Sequence, residues 1–142
     1  MLYTITITFH VVVAVVGIGL IGGVPLTARL ARQGPGPHAE SERVLGALLR
    51  ATQIAFFAMV ATGVLLDVSA HGAFHRAGWF QASIAVLAVN GLAHARARSA
   101  LGKGSPPGGS REAALHRVER WGWTMCAAVA VITVLMQWKP FP

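Results

Sequence analysis

Four long apolar runs dominate the sequence, at about residues 2–28, 45–66, 77–95 and 118–138. A helix needs about 20 apolar residues to cross the hydrocarbon core of a bilayer, and each run comes close to that length or exceeds it. Lipid offers no hydrogen-bond partner to the backbone, so we expect all four runs to be helical. The sequence therefore predicts an all-α fold, an integral membrane bundle of four transmembrane helices that forms one domain over residues 1–142.

The composition agrees with a membrane location. Hydrophobic residues make up 54% of the chain and charged residues only 12%, whereas about 25% of a soluble domain is charged. The net charge of +7 raises the question of nucleic acid, but the basic residues flank the apolar runs instead of forming one stripe. We therefore expect a lipid bilayer as partner and no nucleic acid. The compact length and the Ala, Arg and Gly bias favour a bacterial cytoplasmic (inner) membrane.

The distribution of basic residues predicts the orientation. Ten of the 12 Lys and Arg residues lie in or beside the first and third connections, and only Arg76 and Lys139 lie elsewhere. Positively charged residues near the ends of membrane helices mark the cytoplasmic side. Both termini and the second connection are therefore expected outside the cytoplasm.

Polar residues at membrane depth are the first candidates for a site, because they are costly there and often functional. His10 is expected ~10 Å deep at 1.5 Å per residue. It can ligate heme iron or another metal, or form a hydrogen bond with a backbone carbonyl or a neighbouring Thr. Met59 is expected at the same depth, either as a second axial ligand of a b-type heme or as core packing.

His94 is expected near the cytoplasmic end of the third helix, ~15 Å away from His10 in depth. Axial nitrogens on one metal ion lie only ~4 Å apart, at ~2 Å per bond. His10 and His94 are therefore not expected to bind one heme together. Gln53 and Asn90 are expected to form hydrogen bonds between helices.

The second connection contains a possible metal site. His71 and His75 have an i, i+4 spacing, which in a helix presents two imidazoles on one face, and Asp67 lies nearby. Gly72 weakens helix formation between them. A metal site at His71 and His75 and a solvated loop both remain open.

Three segments together resemble a known family. They are Phe9-His10-Val11 with Gly22-Gly23-Val24-Pro25-Leu26, Gly78-Trp79 with His94 fifteen residues after the Trp, and the ending Trp138-Lys139-Pro140-Phe141. Together they resemble the small four-helix membrane protoporphyrinogen oxidases of the HemJ type, which are grouped with CopD-like copper-resistance membrane proteins.

The resemblance implies a function. It implies a b-type heme, oxidation of a porphyrin substrate, protoporphyrinogen IX, and transfer of electrons to a membrane acceptor such as a quinone. It assigns His94 to heme ligation, and His10, Trp79 and Lys139 to the functional site. Ser83 stands where the family has Lys, which indicates a relative within the broad superfamily.

Two further functions are compatible with the sequence. Gly19 and Gly23 form a GxxxG pair that permits close helix approach. It is used either for packing within the chain or for a homo-oligomer or a larger membrane complex, in which the chain would be a non-enzymatic accessory subunit. Alternatively, His10, Met59 and the outer His pair handle copper.

Overall fold

The chain folds into four α-helices in a computed structural model that describes residues 2–34, 38–102 and 110–138. The helices are α1 (Leu2–Gln33), α2 (His38–Ser69), α3 (Gly78–Gly102) and α4 (Arg111–Trp138). The expected all-α class is confirmed. Every helix extends beyond its apolar run towards the first or third connection, and charged residues there form the additional helical turns.

The helices surround a common interior. Contacts are extensive between α1 and α2, between α3 and α4, and between α1 and α4, but small between α2 and α3. This leaves α1 opposite α3 and α2 opposite α4. The seam between α2 and α3 is the loosest wall of the bundle.

The bundle is packed most tightly at one end, which we call the basic end. It holds the last turns of α1 and α3 and the first turns of α2 and α4. Arg32 pairs with Glu119 at 3.2 Å and Arg111 with Glu42 at 3.0 Å, so α4 is tied to both α1 and α2. The largest cluster of buried apolar residues lies here: Val24, Ala28, Ala31, Leu45, Leu49, Ala97, Leu115 and Val118. The opposite, or distal, end holds the turn between α2 and α3.

The outside of the bundle is apolar. In each of α1, α2 and α4, at most 22% of the most apolar stretch is buried, and all three helices are long and apolar enough to cross a membrane. This indicates a membrane protein. α3 is not one of these three helices. Its polar residues Gln81, Asn90 and His94 and the arginines of its last turns lower its mean hydropathy.

Two Thr residues on the apolar outer face of α1 show how polar groups are accommodated in that face. The hydroxyl of Thr6 donates to the Leu2 carbonyl at 3.0 Å, and that of Thr8 donates to the Thr4 carbonyl at 2.8 Å. Each hydroxyl is thereby satisfied within its own helix, as a membrane environment requires.

Pro25 lies inside α1, and the helix continues past it to Gln33. Pro25 therefore does not end the helix. Proline lacks the N–H that would bond the carbonyl four residues earlier, here that of Ile21. The thiol of Cys126 on α4 lies 3.9 Å from this oxygen and donates to it. Gly122, one turn before Cys126, lets the Pro25 ring approach, since a Cβ at Gly122 would lie 2.9 Å from Pro25 Cδ.

The glycines of α1 pack partly within the chain. A Cβ at Gly23 would contact Leu48 at 3.5 Å, and one at Gly17 would contact Ala55 at 3.4 Å. Gly19 and Gly22 have open space around them. Gly23 of the GxxxG pair therefore serves packing against α2, whereas Gly19 faces outwards.

Candidate functional site

The principal cavity lies between the four helices, in the half of the bundle towards the distal end. Its volume is about 270 Å³. The tight core at the basic end does not extend to this level, and the helices enclose free space instead. The walls are mostly apolar side chains, among them Val11, Ala14, Ile18, Phe56, Leu87, Val129 and Ile132.

A second cavity of about 210 Å³ adjoins the first. It extends towards the first turns of α3, where Phe80, Ser83 and Ile84 line it. Both cavities are lined by His10, Met59, Leu87, Ile132 and Met136. These five residues mark the place where a ligand would contact all four helices.

His10 is the polar residue common to both cavities, and Thr62 holds its ring. His10 Nδ1 lies 2.7 Å from Thr62 Oγ1. The Thr62 hydroxyl lies 2.8 and 3.1 Å from the carbonyl oxygens of Ala58 and Met59, which can only accept. Its hydrogen therefore goes to those carbonyls, and Thr62 Oγ1 accepts from His10 Nδ1. In the neutral imidazole this leaves Nε2 with a free lone pair.

The arrangement has the chemistry of a metal-binding His. Such a His usually donates its second ring nitrogen to an oxygen acceptor, which fixes both the tautomer and the ring orientation. A hydrogen bond to a neighbouring Thr was one of the alternatives for His10, and the structure contains it. It leaves the other alternative, ligation through Nε2, open.

Two thioethers accompany His10. Met59, the expected partner, lines both cavities, and so does Met136 from the last turns of α4. Met136 was not predicted from the sequence. Sulfur of this kind is a ligand for heme iron and for soft metal ions.

Asn90 is the second polar feature of the principal cavity. Its side chain is 4% exposed and lines the cavity, and its Oδ1 has no hydrogen-bond partner among the described residues. The expected hydrogen bond between helices is therefore not formed at this oxygen. A buried carbonyl without a partner is costly, so Asn90 offers an acceptor to a ligand with an O–H or N–H group.

His94 occupies a different place. It lines a separate cavity of about 330 Å³ between α2 and α3, and its Nε2 donates to the carbonyl of Leu49 at 2.8 Å. Leu49 and Thr62 are thirteen residues apart on α2, which is ~20 Å along the helix. His10 and His94 thus belong to two sites, as expected. Ligation through His94 Nε2 would require breaking this hydrogen bond, and the heme-ligand assignment of His94 stays a prediction.

Trp79 lies in the first turn of α3, near the second cavity. Its ring packs edge-on against Phe74 and Phe80, with centroid distances of 6.0 and 5.8 Å. The hydroxyl of Ser83, one helical turn after Trp79, donates to the Trp79 carbonyl at 2.8 Å. Lys139 lies outside the described residues.

His71 and His75 belong to a compact turn. The chain reverses at His71 (φ 55°) and Gly72 (φ 74°), so the segment is not helical and the i, i+4 spacing does not create a shared face. Asp67 Oδ1 accepts from the backbone N–H of Phe74 and His75, and its Oδ2 lies 3.3 Å from His75 Nδ1. No group of three or more His, Cys, Asp or Glu residues with metal-binding proximity exists within residues 2–34, 38–102 and 110–138. The metal assignment stays a prediction.

Comparisons of the chain with models of protein families, with curated proteins and with solved structures found no match.

Proposed function

We propose that the chain crosses a bacterial cytoplasmic membrane four times, with both termini outside the cytoplasm. Three of the helices have the length and apolar character for a crossing. For α3, the polar residues Ser83, Asn90 and His94 are buried, while Ile84, Val89 and Leu92 face outwards. Its outer surface is therefore compatible with lipid. The arginines at the basic end support the orientation, because positive charge marks the cytoplasmic side.

Within this bundle we propose a heme-binding redox protein, in which His10 Nε2 would hold the heme iron. The observation that carries the proposal is the 2.7 Å contact between His10 Nδ1 and Thr62 Oγ1, in a residue that lines both cavities. Heme iron would supply one-electron redox chemistry. The reaction implied by the resemblance is oxidation of protoporphyrinogen IX, with electrons passed to a quinone.

The residues of the two cavities fit a heme in their chemistry. The walls are apolar, His10 provides a nitrogen donor, and Met59 and Met136 provide thioethers. The principal cavity is close to the lower end of the range of about 300–1,000 Å³ for small-molecule sites, and the second cavity adjoins it. The loosely packed seam between α2 and α3 forms the adjacent wall.

The roles of the chain's own residues follow from their positions. Thr62 orients His10, and Asn90 Oδ1 accepts a hydrogen bond from a polar group of the bound molecule. Trp79 packs against Phe80, which lines the second cavity. The resemblance places Lys139 in the functional site, and we propose that its positive charge binds a substrate carboxylate there.

Copper handling is the second candidate, and Met136 favours it. His10, Met59 and Met136 give one imidazole and two thioethers around the same space. Thioether ligands select Cu(I), because soft donors prefer soft ions. His71 and His75 do not line these cavities, so this form of the proposal uses Met136 where the sequence had suggested the outer pair.

A visible spectrum of the detergent-purified protein, with and without dithionite, tests the proposal. A Soret band with sharp reduced α and β bands supports heme. Metal analysis of the same sample decides the second candidate: copper bound without a chromophore supports it. If neither heme nor copper is retained and the protein comigrates with other subunits, an accessory role replaces both.

A further inference from the structure

A crevice between α2 and α3 at the basic end is separate from the His10 cavities. Its volume is about 240 Å³, and Arg43, Arg50 and Arg98 line it together with Leu49 and Leu101. It exists because the contact between α2 and α3 is small. None of the residues that line it lines either of the cavities at His10.

The crevice carries an excess of positive charge. Its one acidic residue, Glu42, already pairs with Arg111 of α4 at 3.0 Å. Arg98 donates to the neutral side chain of Gln53, and Arg43 and Arg50 are exposed. Among the described residues no carboxylate lies within ion-pair distance of these three guanidinium groups. Three uncompensated cations in one crevice favour an anion as ligand.

Another cavity, of about 330 Å³, adjoins the crevice at Arg98. Its other walls are Gln53, Phe56, Phe57, Gly91, His94 and Ala95. A ligand that follows this path meets guanidinium groups at the basic end and aromatic rings beyond them. The ligand that matches has an anionic head and an apolar chain.

We infer that this crevice binds the phosphate headgroup of an anionic phospholipid, with one acyl chain against Phe56 and Phe57. Guanidinium groups bind phosphate through paired, charge-assisted hydrogen bonds. Basic pockets between membrane helices on the cytoplasmic side bind anionic headgroups. The inference rests on the proposed membrane placement of the chain, and its headgroup site shares no lining residue with the cavities at His10.

Binding of phosphatidylglycerol to the full chain in detergent, measured by native mass spectrometry, tests the inference. We expect phosphatidylglycerol to bind more tightly than phosphatidylcholine. The Arg43→Gln and Arg50→Gln substitutions should each weaken the binding of phosphatidylglycerol about five-fold. This factor corresponds to the contribution of about 1 kcal/mol that a basic residue makes near a membrane surface. Both side chains are exposed and lack an ion-pair partner among the described residues, so the substitutions leave the fold intact.

Arg96→Gln is the matched control. Arg96 is exposed on α3, two residues before Arg98, and does not line the crevice. The inference is overturned if phosphatidylcholine binds equally well, or if Arg96→Gln weakens binding as much as Arg50→Gln. Inorganic phosphate is tested separately with a thermal melt. Stabilisation by phosphate alone that equals that of the lipid would also overturn the lipid assignment.

Discussion

His10 on α1 and Thr62 on α2 form a contact of 2.7 Å between Nδ1 and Oγ1, in which the Thr62 hydroxyl accepts while it donates to its own helix. The contact joins two helices and at the same time determines which imidazole nitrogen faces a ligand. His10 also lines both cavities.

Replacing Thr62 with Val tests the orienting role. Valine keeps the shape of threonine but cannot accept from His10 Nδ1. Loss of such an oxygen partner weakens metal-site affinity about 10- to 100-fold. We therefore expect lower heme occupancy in Thr62→Val, measured by the reduced pyridine hemochrome. Thr62→Ser keeps the hydroxyl and should retain wild-type occupancy; equal occupancy in the Val variant would speak against the role.

Replacing His94 with Phe separates structure from ligation. The ring volume is similar, but the hydrogen bond from Nε2 to the Leu49 carbonyl is lost. We expect a lower melting temperature in detergent, because the lost hydrogen bond contributes about 1 kcal/mol to the free energy of unfolding. The heme content should be unchanged. His116→Phe, at an exposed position, serves as control and should leave both quantities unchanged. Loss of heme in His94→Phe would instead favour the ligand role that the resemblance assigns.

Substitution of Gly122 by Ala tests the packing of α1 against α4. The new Cβ would lie 2.9 Å from Pro25 Cδ, and the proline ring cannot move freely. Overpacking of this kind costs about 1–3 kcal/mol, so the melting temperature should fall. Gly22→Ala is the control, because open space surrounds that position. A melting temperature that falls equally in both variants would contradict the close approach.

Most of the fold could be predicted from the sequence, because apolar runs of this length determine the number and positions of the helices. The prediction left out helical turns nearest the basic end. Arg32 and Glu42 were assigned to the first connection, but they form ion pairs on continued turns of α1 and α2. Pro25 was also ambiguous, since its effect depends on whether another helix satisfies the Ile21 carbonyl, and Cys126 does so.

The site was only partly predictable. Depth along a helix identified His10 and Met59 and separated His10 from His94. Depth along a helix does not show which face of that helix points inwards. The positions of Met136 and of the unpartnered Asn90 in the cavity wall therefore follow only from the packing of the helices. The i, i+4 spacing of His71 and His75 was misleading, because it has this meaning only in a helix.

Single-cysteine labelling tests the proposed orientation. In a Cys126→Ser background, which retains a donor for the Ile21 carbonyl, Ala73→Cys places a thiol in the α2–α3 turn and Glu40→Cys places one at the basic end. In intact cells, an impermeant maleimide should label the Ala73→Cys variant, and the Glu40→Cys variant only after permeabilisation. The reverse pattern would invert the bundle.

Heme content of the purified His10→Ala variant, measured beside wild type and His71→Ala, tests the central claim most directly. We expect wild type and His71→Ala to show equal Soret absorbance per protein and equal reduced α bands, and His10→Ala to lose them while still folding, as judged by helical circular dichroism. A wild-type protein without heme, or a His10→Ala variant with a full heme complement, would contradict the account.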